Sequence, residues 1–201
     1  MGCGESGVPL TGLPGREITS DTLLLADIAS SIPCGICFDL GTGTGEILFN
    51  ASLKDCFSVG IDVSMKALSL FNRRFGQPVL CPVEQVARVF RKGCADLVLA
   101  NPPYFQRGKG RASPEPLRNE ARAGGTLTVY RFVFAGAHLL HRGGTMVASV
   151  REENTESLFT GFRAAGFGSV EIVRGRGAVA LRALMGDSLV SEDCGGVPGC
   201  V

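Results

Sequence analysis

No stretch of the 201-residue chain is apolar for the ~18 residues that a membrane-crossing helix needs, so no spanning segment is expected. Met1–Arg16 holds neither the basic nor the apolar region of a secretory leader. Charge of one sign is missing too: 20 basic residues face 19 acidic ones, and a net charge of +1 does not announce a polyanion partner. Histidine is scarce. Only His138 and His141 occur, with no carboxylate partner at ligand spacing, which argues against a metal site. The eight cysteines are scattered, unlike those of a compact secreted framework. Cys34 and Cys37 do form a Cys-x-x-Cys pair, but no second pair follows at zinc-ribbon spacing. In an extended segment, moreover, residues three apart face opposite sides. Cys37 therefore reads as a small core hydrophobe in preference to a metal or redox site, and a reducing cytoplasm is the expected compartment.

What the chain does have is 45% hydrophobic residues, enough for one ordinary core. Capping oxygens in Thr19-Ser20-Asp21 precede a helix over Thr22–Ser30, which Pro33 breaks. Strands are expected at Ile36–Leu40, Phe57–Ile61, Val79–Cys81, Leu97–Ala100 and Thr145–Val150. Helices alternate with them over Glu46–Leu53, Met65–Phe75, Gln85–Lys92, Leu127–Leu140 and Asn154–Ala165. His138 and His141 then fall one turn apart near a helix C-terminus, where they complement its dipole, and Gly143-Gly144 ends that helix. A terminal hairpin pairs Val170–Val173 with Val179–Met185 around Gly175-Arg176-Gly177.

Two stretches carry chemistry. The run Leu97–Ala100 is apolar throughout, as a buried parallel strand is, and stops at Asn101-Pro102-Pro103-Tyr104-Phe105. Neither proline donates a ladder hydrogen bond, and the first keeps Asn101 out of the helical region. A rigid hook results at the C-terminal edge of a sheet, where open α/β folds bind ligands; the bland alternative is a mere strand-terminating turn. The second stretch is Asp39-Leu40-Gly41-Thr42-Gly43-Thr44-Gly45-Glu46, whose glycines permit a tight strand-to-helix turn. The dinucleotide fingerprint begun at Gly41 would need its last glycine where Glu46 stands.

The spacing Asp-x-Gly-x-Gly-x-Gly resembles the first motif of class I S-adenosyl-L-methionine-dependent methyltransferases. Asn-Pro-Pro-Tyr is similar to the signature of those members that act on planar amino groups: adenine N6, cytosine N4 and the glutamine amide. The resemblance implies an α/β, Rossmann-like fold with a seven-stranded, mostly parallel sheet, its last strand antiparallel, and helices on both faces. It implies a lead-in over 1–20, a methyltransferase domain over 21–186 and a loose tail over 187–201. The cofactor would be S-adenosyl-L-methionine, held by Asp39, Gly41, Thr42, Gly43, Gly45, Asp62, Val63, Val83, Glu84 and Asn101. Asp62, about 20 residues beyond the glycine turn, is placed to accept ribose hydroxyls; an N-cap role is its alternative, although Ser64 suits that better. Many family members place an Asp after the third strand for the cofactor's adenine. This chain has Cys81-Pro82-Val83-Glu84 there, and Glu84 or a backbone group would have to substitute.

Catalysis would fall to Asn101, Pro102 and Tyr104, with Pro103, Tyr104 and Phe105 against the substrate. Three blocks resemble the bacterial enzymes that methylate adenine N6 beside the anticodon of a valine tRNA: Asp21-Thr22-Leu23-Leu24-Leu25-Ala26, the hook with Phe105, and the loop Arg111-Ala112-Ser113-Pro114 running on through Arg118 and Arg122. Residues 106–125 carry five basic against two acidic side chains, a local excess beside the hook. Arg111, Arg118 and Arg122 would then hold phosphates flanking an extruded base, making an RNA, a tRNA in particular, the expected partner; a solvated charged loop is the alternative. Release-factor glutamine methylation is a rival, but only 38 residues precede Asp39, too few for that family's helical substrate domain. Adenine methylation of ribosomal RNA or DNA is another rival. So is a non-catalytic binding protein, toward which the missing adenine-pocket Asp points.

Overall fold

The computed structural model describes residues 18–102 and 125–186, the side chains of 125–127 excepted. The lead-in before 18 and the tail after 186 lie outside the described residues. Helix α1 (Ser20–Ser30) opens on Thr19, whose hydroxyl accepts from the Thr22 amide as the sequence suggested. Strand β1 (Ile36–Leu40), helix α2 (Glu46–Ala51), strand β2 (Phe57–Asp62), the single turn α3 (Met65–Leu68) and strand β3 (Gln77–Leu80) follow. Next come a 3-10 turn at Val83–Gln85, the short α4 (Val86–Val89) and strand β4 (Ala95–Ala100). Beyond it lie α5 (Gly125–Leu139), β5 (Leu140–Val150), α6 (Thr155–Ala164), β6 (Phe167–Gly175) and β7 (Ala178–Met185).

The seven strands form one sheet in the order β3-β2-β1-β4-β5-β7-β6. Pairings from β3 through to β5 are parallel, and β7 runs antiparallel to both β5 and β6. The pleat sends alternate residues to opposite layers. Phe38, Leu40, Val98, Ala100, Met146 and Ala148 meet Val133 and Leu139 of α5 and Leu158 and Phe162 of α6. Cys37, Leu97, Leu99 and Val147 meet Leu25 and Ala29 of α1 and Leu48 of α2 on the other face. Helices thus cover both faces. The order reverses at β1 and β4: from β1 the chain steps outward to β2, and from β4 it steps the other way to β5. Such a switch point leaves a crevice at the carboxyl ends of the two central strands.

Several boundaries differ from expectation for identifiable reasons. The helix expected over Met65–Phe75 stops after one turn, because Leu70 and Phe71 fall into tighter amide bonds to Ala67 and Leu68 and Asn72 Oδ1 takes the Arg74 amide. Local side-chain acceptors of this kind compete with a helix. Strand β3 runs from 77 to 80, leaving Cys81 buried beyond its end. The helix expected over Leu127–Leu140 ends at Leu139, and β5 starts at once and carries His141. Gly143, at φ +82°, sits in a register slip of β5 between the Ala95–Leu140 and Leu97–Thr145 pairs, so it does not stop a helix. His141 is therefore no dipole partner. Its Nε2 is 2.8 Å from Asp96 Oδ1, while Asp96 Oδ2 accepts the amides of Gly35 and Ile36. His138 reaches the Phe90 carbonyl at 2.9 Å.

Candidate active site at the switch point

The glycine turn leaves β1 at the crevice. Gly41, Gly43 and Gly45 all have positive φ, and the amides of Gly41 and Thr42 donate to the Ile61 carbonyl at 2.8 and 2.9 Å. A Cβ on Gly45 would lie 2.6 Å from the ring of Phe71, so the turn is packed from below by the side chain that α3 hands over. Asp62, at the end of β2, accepts the Gly43 amide at 2.8 Å on Oδ2 and the Ser64 amide at 2.7 Å on Oδ1. Ser64 itself caps α3 through Ala67. Asp62 therefore clamps the turn to the next strand, and each of its oxygens keeps a second lone pair.

Asp39 is fully buried one residue before the β1 terminus. Its Oδ2 accepts from Thr42 Oγ1 at 2.7 Å, and its Oδ1 has no hydrogen-bond partner among the described residues. Burial pushes this carboxyl up, to about 7; the Thr42 hydroxyl pulls against that shift and the nearby Asp62 charge adds to it. A buried acceptor without a donor is costly, and such a group at a sheet's ligand edge calls for a cationic or hydrogen-bonding occupant.

Across the crevice, β4 delivers Asn101 half-buried and Pro102 buried. Asn101 follows Leu97 and Leu99 onto the α1/α2 side of the sheet, the same side as Asp39. Ser149 of β5, 1% exposed, donates to Asn101 Oδ1 at 2.6 Å and fixes the amide's plane and orientation. The sequence reading missed Ser149. Its signal was a hydroxyl near the C-terminal end of a buried apolar strand, where burying a polar group without a partner is expensive. Of the residues expected in the site, the structure brings Asp39, Gly41, Thr42, Gly43, Gly45 and Asp62 together around one turn, with Asn101 on the neighbouring strand. Val63 is exposed and Val83 packs against the core beside α4. Glu84 Oε1 lies 2.6 Å from Arg131 Nη1 of α5. Pro103, Tyr104, Phe105, Arg111, Arg118 and Arg122 lie outside the described residues.

The sequence matches no family model and no curated protein. Solved structures do match. A predicted O-methyltransferase of Agrobacterium tumefaciens aligns at TM-score 0.61 and 18% identity, over 83% of this chain and 81% of its own. An O-methyltransferase family protein of Burkholderia thailandensis aligns at TM-score 0.57 and 16% identity over 82% of this chain, which spans only 56% of that protein. The chain has the class I methyltransferase fold. A third neighbour, the CurJ carbon methyltransferase, aligns at TM-score 0.59 and 12% identity, covering 83% of this chain and 54% of its own. Because those proteins are described as acting on oxygen and on carbon, the fold leaves the acceptor atom open and the site residues must argue for it.

Proposed function

We propose that this protein transfers a methyl group from S-adenosyl-L-methionine to the N6 amino group of an adenine in RNA, with a tRNA anticodon loop as its substrate. One observation carries the proposal: an Asn-Pro hook, its amide held by a buried serine, stands across the switch point from a glycine turn preceded by Asp39, whose buried Oδ1 has no hydrogen-bond partner among the described residues. The residues present fit the cofactor. Asp39 Oδ1 would take its ammonium group, and the glycine turn would admit its methionine and ribose parts. Asp62 keeps lone pairs for hydroxyls after accepting the Gly43 and Ser64 amides. When bound, the cofactor supplies a methyl carbon on a positively charged sulfur.

The rest is the work of this chain. An exocyclic amino nitrogen is a weak nucleophile because its lone pair is delocalised into the ring. Asn101 Oδ1, which already accepts from Ser149, retains a lone pair for one amino hydrogen, and the Pro102 carbonyl takes the other. Nitrogen so held would rehybridise and present its lone pair for methylation, and the proton it then sheds would leave to solvent. Catalysis is then mainly alignment with electrostatic stabilisation of the charge developing on nitrogen. Tyr104 would stack on the base, a contact worth about 1–3 kcal/mol in single-stranded nucleic acids. Arg111, Arg118 and Arg122 would engage the flanking phosphates.

The test is incubation of total tRNA with isotopically labelled cofactor, followed by nucleoside analysis. Label in N6-methyladenosine at one anticodon-loop position is expected, and Asn101→Ala should abolish it while leaving cofactor affinity within about twofold. Label in a ribose oxygen, in protein glutamine or in no product would overturn the assignment.

A further inference from the structure

Away from the crevice, at the opposite edge of the sheet, three cysteines converge where β1 and β2 begin. The Phe57 amide donates to the Gly35 carbonyl at 2.8 Å and draws the two strand starts together. Cys34 and Cys56, 22 positions apart in sequence, thereby bring their sulfurs to 2.9 Å, with Cys34 Sγ donating to Cys56 Sγ. Both are partly exposed, whereas Cys37 behind them is buried. Cys56 also lines a cavity of about 200 Å3 together with Ser58, Arg73 and Arg74. The two sulfurs are unlike. The neighbouring thiol of Cys37, and then the Cys34 thiol and Ser58 hydroxyl, bring the Cys56 thiol down, to about 6, against its partial burial and the charge of Asp96. Partial burial and its bond to Cys56 hold the Cys34 thiol up.

We infer that Cys34 and Cys56 form a peroxide-reactive thiol pair, in which Cys56 is the attacking sulfur and Cys34 the resolving one. The Cys56 thiolate attacks a peroxide oxygen and breaks the O–O bond. The product is a sulfenic acid, and the departing hydroxide takes up a proton to leave as water. The Cys34 thiol then attacks the sulfenic sulfur, and its proton departs with the hydroxyl as a second water. Two thiols are oxidised, hydrogen peroxide is reduced by two electrons, and one disulfide remains. That bond closes a loop containing the whole glycine turn and α2, so oxidation staples the turn's two supporting strands at their starts. This site is independent of the methyl-transfer proposal.

The experiment treats the fully reduced, full-length protein with a small molar excess of hydrogen peroxide, then counts thiols and maps non-reduced peptides. Two of the eight thiols should disappear, a cross-link should join residues 34 and 56, and dithiothreitol should restore both. The midpoint of thermal unfolding should rise by about 5–10 °C in the oxidised form. Cys34→Ser should give no cross-link and leave Cys56 as a sulfenic acid that dimedone captures; Cys56→Ser should give neither product. Retention of all eight thiols in the wild type would overturn the inference. So would a cross-link persisting in Cys34→Ser through Cys37, or one joining only residues 3, 194 or 200.

Discussion

Asp39→Asn separates the electrostatic cost of the buried carboxylate from everything else in the site. The amide keeps the shape and the Thr42 hydrogen bond but removes the charge. In the folded protein burial pushes the Asp39 carboxyl up to about 7, from an ordinary value of 3.8. A raised folded value means the native state binds the proton more tightly. The associated stability is fully present below pH 3.8 and is lost as pH rises through 7. That rise corresponds to about 4 kcal/mol in full, of which about 2–3 kcal/mol is lost between pH 5 and pH 8. The substituted amide titrates nothing. Urea unfolding of both proteins at several pH values should show the variant's relative stability climbing by that 2–3 kcal/mol across the interval. Any constant cost of the substitution cancels in the comparison. Two stability curves that run parallel with pH would refute the raised titration that burial gives Asp39.

The same substitution reads out on the cofactor. If its ammonium docks on Asp39 Oδ1, binding below pH 7 must first strip a proton from the carboxyl. Affinity should then improve about tenfold per pH unit well below 7 and level off above it. Calorimetric titration of Asp39→Asn should show weaker binding without that slope. A wild-type affinity flat between pH 5.5 and 7 would place the ammonium elsewhere while leaving the stability result intact.

Ser149→Ala should leave cofactor affinity unchanged and lower kcat by about 3–10-fold, the worth of one hydrogen bond orienting Asn101; an unchanged kcat would remove Ser149 from the site. Gly45→Ala combines a φ of +85° with a Cβ 2.6 Å from Phe71 and should cost about 2–4 kcal/mol in urea unfolding, whereas a loss under about 1 kcal/mol would show that Phe71 yields freely. The Asp96–His141 contact holds the Asp96 carboxyl below the usual carboxylate range, first through the ring's hydrogen bond, and holds the imidazole above its own. Its contribution should therefore vanish both as pH rises through the raised histidine value and as it falls through the lowered aspartate value. Because both groups are well exposed, 150 mM added salt should shrink that part of the pH dependence. Asp96→Asn should remove it at any salt, and a variant with wild-type pH dependence would refute the pairing.

The site was legible to the extent that its parts are ends of central strands. A parallel sheet covered on both faces makes its strands apolar runs, and each run announces its own end: Asp39 with the glycines, Asp62 before Ser64, Asn101 before two prolines. Once β1, β2 and β4 are neighbours, those ends meet without further information. The hairpin was legible for a similar local reason, since Arg176-Gly177 forms its two-residue link, with Gly177 at φ +72°. What escaped depends on residues far away in sequence. Met65–Phe75 has helical spacing, yet Phe71 is required against Gly45 and Gly60, and Asn72 bonds locally instead. Gly143-Gly144 looks like a helix stop, yet β5 begins at Leu140, and its slip leaves His141 facing Asp96, which also takes the amides at the start of β1. Ser149 looks in sequence like one more residue of an apolar run. Cys56 stands 22 positions from Cys34, while the Cys-x-x-Cys spacing drew notice to Cys37. In each case a polar or aromatic side chain answers a neighbour brought in by strand register. Register is the property that local periodicity carries least, because the pleat repeats every two residues whichever strand lies alongside.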